Sequence, residues 1–233
     1  STVIPYGVKY IKLLENKGLS YARNYGIMGA KGKYVVCLDD DNVLLPDFLK
    51  ETVNYIESFN LDAAGVGRII QYKDFAQTVV PQLSKFTSID QAWLIKKSVF
   101  DDIKYDEELR ANEDADFGIR FSKKYLKGIL NKPLCVVYDT ENSLSFPNER
   151  ELKGIQKFLD KNLHEYADYP NELRYLYRLA GRKFYRGGFR LKGLRYFWKS
   201  FLAYPRLNSF SHLIMILFGW KLYDKFMDFT EKL

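Results

Sequence analysis

The run Tyr34–Val35–Val36–Cys37–Leu38, followed at once by Asp39–Asp40–Asp41–Asn42, constrains this chain more than any other stretch. Five mostly apolar residues with adjacent valines read as a buried strand. Three carboxylates at its end have no packing role, because unpaired buried charge is costly. At the tip of a parallel strand they would point into the crevice where open α/β sheets hold ligands. Asp39 and Asp41 are two apart and share one side of the strand while it stays extended. Two carboxylates on one side suit a hard divalent cation, which takes oxygen ligands and keeps substrate phosphates in its shell. The other reading is an acidic turn, with Asp and Asn as turn formers ahead of Leu44–Leu45–Pro46. The stretch alone leaves both open.

A chain of 233 residues holds one large domain, or one domain with an appendage. Its 47% hydrophobic content supplies a core, and its 16% aromatic content points to a thick core or to a surface that meets something apolar. The net charge of +7 is not evenly spread. Residues 171–206 contain ten Lys or Arg and one acid, so this segment is +9 and the remainder is −2. The basic character is therefore a local device on a slightly acidic body.

Cys37 and Cys135 both lie in apolar runs and read as buried thiols in a reducing compartment. His164 and His212 have no ligand spacing. No secretory signal is visible, and the longest apolar run, Leu213 to Trp220, is eight residues, too short to span a bilayer. The expected location is cytoplasmic, at most peripheral to the inner face of the plasma membrane.

The chain opens at Ser1, without Met, and a short lead runs into Val8–Leu14, an apolar-rich strand candidate. A doubly wound sheet normally has a complete strand–helix–strand unit before such a point, so N-terminal truncation is expected. Ser20 is placed to cap a helix that stops at Gly32. Pro46–Asp47 opens the next helix, with Phe48, Leu49, Val53 and Ile56 at helical spacing. Ala63 to Gln71 is a strand whose Gly65 and Gly67 imply a bulge or a close approach. Residues 72–90 read as loop, Gln91–Ile95 as strand and Lys97–Asp101 as a helical turn. Leu134–Tyr138 is a last strand, Thr140–Pro147 a loop, and helix dominates from Glu151.

Between these lies Asn112–Glu113–Asp114–Ala115–Asp116, ahead of Phe117, Phe121 and Tyr125 at four-residue spacing. Asn112 can cap a helix whose acidic first turn complements the helix dipole. The same dipole would keep Asp114 ionised, as a general base requires. Both readings stand.

Taken together, Asn16–Lys17–Gly18–Leu19–Ser20–Tyr21–Ala22–Arg23–Asn24–Tyr25–Gly26, Ala30–Lys31–Gly32–Lys33–Tyr34, Leu38–Asp39–Asp40–Asp41–Asn42 with Pro46, Leu94 to Phe100, and Asn112 to Asp116 with Arg120 resemble the family 2 glycosyltransferases of the GT-A fold. The resemblance runs from about Tyr10 to Ser145. It implies an α/β mixed sheet flanked by helices, N-terminally truncated, with residues 1–150 as a partial catalytic domain and 151–233 as a basic, aromatic helical appendage. It also implies a nucleotide-diphosphate sugar donor, a saccharide or glycolipid acceptor, inversion at the anomeric carbon, and Mn²⁺ or Mg²⁺. By position Asp41 would bind the metal, and Asp39 the metal or the ribose. Asp114 would take the acceptor proton, with Glu113 its rival. Asn16, Gly18, Arg23 and Asp40 would lie on the donor side, where Arg23 and Asn24 serve equally well as structural residues. The family's opening strand and acidic loop, which hold the nucleotide base, have no counterpart here.

In the tail, Arg and Lys alternate with aromatics through Tyr204, Pro205 breaks the pattern, and an apolar helix is expected from Ser211 to Phe226. One account is a helical hairpin with aromatics inward and cations solvated. Another is an anchor with cations on anionic headgroups and Trp198, Phe201 and Trp220 at the boundary. No nucleic-acid motif accompanies the charge. Two functions compete: a transferase in surface polysaccharide or glycoconjugate synthesis, and a non-catalytic fragment that serves as a binding or membrane-surface module.

Overall fold

The computed structural model describes residues 8–138, 147, 149–205 and 219. Helix α1 (Leu19–Gly29) leads into β1 (Tyr34–Val36) and β2 (Asn42–Leu44), then α2 (Phe48–Ser58) and β3 (Ala63–Gln71). Strands β4 (Ala76–Val79) and β5 (Trp93–Lys96), a 3-10 turn at Lys97–Asp101, α3 (Glu113–Ser122) and β6 (Lys127–Tyr138) follow. The tail forms α4 (Glu149–Asn162), α5 (Pro170–Arg186) and α6 (Arg190–Ala203). The expected domain boundary at residue 150 falls inside the first turn of α4.

The sheet order is β1-β5-β3-β6-β2, with β4 also on β3. Among the described residues only β3 and β6 pair in parallel; the other pairs are antiparallel. Alternation along the strands divides the core. Val35, Trp93 and Ile95 face α1 and α3, where they meet Ile27, Phe117 and Phe121. Ala64, Val66 and Leu94 face α2, where Phe48 and Ile56 come from one helical stripe. A third cluster joins Leu109 and Ile119 to Phe158, Leu176, Phe184 and Tyr196, so the tail helices sit on the α3 side.

Several expectations need correction. Val8–Leu14 forms no strand among the described residues: it pairs with no strand of the sheet, and Leu14 is 99% exposed. The strand before the acids ends at Val36 and runs antiparallel to β5. Asp39 to Asn42 is a turn closed by the Asn42 N–H on the Asp39 carbonyl at 3.2 Å. The shared-side argument from an extended strand therefore does not apply. Gly18, not Ser20, precedes the first helical residue; Ser20 is buried and donates to the Leu109 carbonyl at 3.5 Å. That helix stops at Gly29, not Gly32, because its C-cap residue Ala30 is extended. β4 lies within the expected loop, and β6 begins seven residues before Leu134.

The Gly65–Gly67 expectation resolves into two features. A side chain at Gly65 would meet the Trp93 ring at 2.6 Å, and the β3–β6 register shifts on both sides of Gly67. Apart from Gly219, the helix expected at Ser211–Phe226 lies outside the described residues, as does the Thr140–Pro147 loop apart from Pro147. In the tail, Phe184, Tyr196 and Phe197 pack inward between α5 and α6. Leu191, Trp198 and Leu202, at i, i+7 and i+11 on α6, point outward.

Candidate active site

Arg23 joins the two acidic motifs. The sequence turns it inward on α1, next to buried Ile27 one helical turn on. Its Nη1 donates to Glu113 Oε1 at 2.9 Å and its Nη2 to Asp39 Oδ1 at 3.4 Å, while the guanidinium lies over the Tyr105 ring at 5.3 Å. Burial works against the Arg23 charge, but Tyr105, Glu113 and Asp39 outweigh it and raise its pKa. Glu113 is 9% exposed. Burial, then the charge of Asp114, raises its pKa, and Arg23 opposes the rise.

Asp114 is half-buried at the first turn of α3. Its Oδ1 accepts the Ala115 N–H at 2.8 Å, and its carbonyl accepts the Ile89 N–H at 3.2 Å. No cation among the described residues bonds to it. Asn112, ahead of this helix, makes no side-chain capping bond and sits at φ +60, a conformation Asn tolerates.

Asp39 is half-buried, and Asp40 and Asp41 are exposed on the turn. The Asp41 carbonyl accepts the Tyr138 N–H at 3.1 Å, but among the described residues no hydrogen bond or ion pair holds its carboxylate, and no group of three or more His, Cys, Asp or Glu stands ready to enclose a metal. The donor set still suits a hard dication: two carboxylates on one turn leave most of the shell to other oxygens. Beside them, the buried Asn42 side chain has neither its amide nitrogen nor its oxygen satisfied. An orphaned polar group at that place fits a polar ligand at the turn.

Asn16 accepts the Gly18 N–H at 3.1 Å, and Gly18, at φ +91, faces the Arg110 side chain. Both belong to the loop entering α1, ahead of the first helical residue Leu19. Asn24 faces away from the acids: its Nδ2 donates to the Tyr105 carbonyl and to Glu107, each at 2.9 Å, and it accepts the Tyr105 N–H. A groove of about 490 Å³ between α1 and β1 includes Arg23 and Asp39. A cavity of about 550 Å³ on the Asn24 side, lined by Tyr21, Tyr25 and Phe100, contains none of the motif acids.

The structure adds an ion pair that sequence reasoning did not single out. Arg68 of β3 pairs with Asp90, just ahead of β5. Burial, reinforced by Asp114, raises the Asp90 carboxyl to about 6, against the pull of Arg68. Cys135, whose pKa burial also raises, feels the charges of Arg68, Asp90 and Asp41. Ala92, two residues after Asp90, holds φ +61 while buried, a strained conformation of the kind that gathers at working sites.

Asp116 belongs to the scaffold. It is fully buried, with Arg120 Nε at 2.8 Å, Lys161 Nζ at 2.8 Å and Asn162 Nδ2 at 3.0 Å. Lys127 is held by the Thr87 carbonyl at 2.8 Å, and burial lowers its pKa to about 8.

A mixed sheet between helices, with an acidic turn beyond its first strand and an acidic helix start opposite, defines a GT-A glycosyltransferase architecture. The model of the glycosyl transferase family 2 matches residues 3–125, more than half of the chain, and the chain belongs to that family. It is 29% identical over 125 residues to the uncharacterized glycosyltransferase MJ1057 of Methanocaldococcus jannaschii, covering 48% of this chain and 43% of the relative. It is 26% identical over 153 residues to the uncharacterized glycosyltransferase EpsJ of Bacillus subtilis, covering 56% and 44%. The chain thus spans less than half the length of these relatives. The crystal structure of S. aureus TarS 1-349 in complex with UDP-GlcNAc superposes with a TM-score of 0.52 at 16% identity, covering 81% of this chain and 62% of that one. At that identity the likeness shows the fold.

Proposed function

We propose that this chain carries the catalytic portion of an inverting, metal-dependent glycosyltransferase. It moves a sugar from a nucleotide-diphosphate donor to a hydroxyl of a saccharide or glycolipid, in surface polysaccharide or glycoconjugate synthesis. The observation that carries the reading is Arg23, which brings the Asp39 turn and the Glu113–Asp114 helix start to one place across ninety residues of sequence. The UDP-GlcNAc in the TarS structure supports a nucleotide sugar as the donor class.

Asp41 and Asp39 would hold Mn²⁺ or Mg²⁺, and a bound dication there would offset the charge of the leaving diphosphate. The base must lie on the face of the sugar opposite the leaving group, apart from the metal ligands. Asp114 suits the task because no cation among the described residues holds it, whereas Arg23 holds Glu113. Arg23 neutralises Glu113 and orients Asp39, which supports a positioning role. The groove between α1 and β1 would lie on the donor side. The basic outer side of the α5–α6 hairpin would meet an anionic membrane surface; among the described residues no helix is long and apolar enough to cross one.

The test is release of nucleoside diphosphate from a panel of UDP-, GDP- and dTDP-sugars with Mn²⁺. Metal-dependent release of one member is expected. Absence of both release and metal-dependent binding across the panel would favour the competing reading, a non-catalytic binding or membrane-surface module.

A further inference from the structure

The segment from Lys85 to Ile89 runs along α3 and is tied to it at both ends. The Lys85 carbonyl accepts Ser122 Oγ, on the last turn of α3, at 3.2 Å. The Thr87 carbonyl accepts Lys127 Nζ at 2.8 Å and lies so close to Gly118 that no side chain would fit between them. At the far end, fully buried Ile89 donates its N–H to the Asp114 carbonyl at 3.2 Å and accepts Tyr105 Oη at 3.4 Å. The backbone of Ile89 thus joins the residue that offers the free carboxylate to the ring under Arg23.

The other side of this strap is keyed into the tail. The half-buried Phe86 ring stacks on Tyr166, with centroids 4.0 Å apart and 16° between the planes, and meets Tyr169 edge-on at 5.0 Å. Tyr166 is 5% exposed at the end of the 3-10 turn Leu163–Tyr166, so the Phe86 ring rests on a fixed floor. Beside it, Lys85 Nζ reaches Glu165 at 3.4 Å and lies over the Tyr169 ring at 4.7 Å. The strap belongs to no helix or strand, so its course depends on these anchors. A flat ring held by two others has a narrow choice of seatings, which a lysine on a flexible stem cannot supply.

We propose that Phe86 is a positioning residue for Asp114: seated on Tyr166, it holds the strap against α3, and the strap fixes the helical turn that carries the Asp114 carboxylate. The proposal rests on the glycosyltransferase reading, in which Asp114 is the base. It also makes the tail turn at residues 163–166 part of the catalytic unit. A base displaced by a fraction of an ångström loses rate while the donor, held elsewhere, is bound as before.

Two measurements on the whole chain test this. The first needs no substrate: amide hydrogen exchange of Ile89, whose N–H bonds the Asp114 carbonyl. Phe86→Ala should speed that exchange by about tenfold or more, with the Ile56 amide of α2 unchanged as a reference, and Phe86→Tyr, which keeps the ring, should match the wild type. The second is sugar transfer. Phe86→Ala should lower kcat by about tenfold to a hundredfold with Mn²⁺-dependent UDP affinity retained. In an Asp114→Asn background the same change should add nothing, because no base is left to position, whereas a defect in folding would lower the rate in both backgrounds. Circular dichroism reports folding; should Phe86→Ala fail to fold, Phe86→Leu, which keeps an apolar side chain but no plane, takes its place. Unchanged exchange at Ile89, or an equal loss of rate in both backgrounds, overturns the proposal. Faster Ile89 exchange in a chain that transfers no sugar supports Phe86 as the anchor of Asp114 and removes only the assignment of that carboxylate as the base.

Discussion

Arg23 Nη1 stands 2.9 Å from Glu113 Oε1, and both side chains are nearly shut off from solvent. Removing one charge from such a pair leaves the other buried and uncompensated, which costs about 3–5 kcal/mol. Arg23→Met is therefore expected to lower the free energy of unfolding by about that amount in urea titration. Glu113 already has a raised pKa, and without Arg23 it rises further. A carboxyl whose folded pKa is raised loses stability as pH climbs through the folded value, so the deficit should be larger at pH 8 than at pH 5.

At the acidic turn, Asp41→Asn removes charge but almost no volume. Mn²⁺-dependent binding of a nucleoside diphosphate should be abolished, while any metal-independent binding stays. Equal metal-dependent affinity in wild type and variant, measured by calorimetry, would sink the assignment.

Asp114→Asn should separate catalysis from binding. A general base acts in the transition state, so sugar transfer is expected to fall by about a hundredfold to ten-thousandfold with donor affinity retained. Glu113→Gln frees Arg23 and disturbs Asp39, so its loss should appear in donor affinity as well. Silent Asp114→Asn with inactive Glu113→Gln would reverse the two roles.

Asp116 predicts a change in stability without a change in chemistry. It gathers Arg120, Lys161 and Asn162 around a fully buried carboxylate. Asp116→Ala should cost about 3 kcal/mol, since two of the orphaned partners are cations that can still reach water. Denaturant midpoints measure it.

Asp90 gives a pH signature. Its carboxyl ionises near 6 in the folded chain and near 3.8 when unfolded. Between these values the folded state holds more protons, so stability falls as pH rises through the window. The difference in unfolding free energy between wild type and Asp90→Asn should therefore shift against the wild type by about 2–3 kcal/mol from pH 4 to pH 7. A flat difference would show that Arg68 fully compensates the buried charge.

What the sequence disclosed follows from where its signals lie. Ala63–Gln71 and Lys97–Asp101 were legible to the residue because apolar runs and local turns carry their own patterns. β4 was not: all four of its residues are exposed, and it exists because Arg68–Gln71 offer a free edge. The acidic turn was one of two readings offered for Asp39–Asn42. Arg23 carried a residue-level expectation but not its bridge, because Glu113 lies ninety positions away. Arg68, Asp90 and the partners of Asp116 gave no local pattern, since each pairing is made only when distant strands or helices meet.

Gly154 on α4 lies against the backbone just ahead of α3, and a methyl group there would come within 2.7 Å of the Ala111 nitrogen. Such contact leaves no slack. α4 cannot tilt inward without pushing the peptide that precedes Asn112, and so the first turn of α3. Position 154 therefore admits no side chain without displacing the peptide two residues before the helix that carries Asp114.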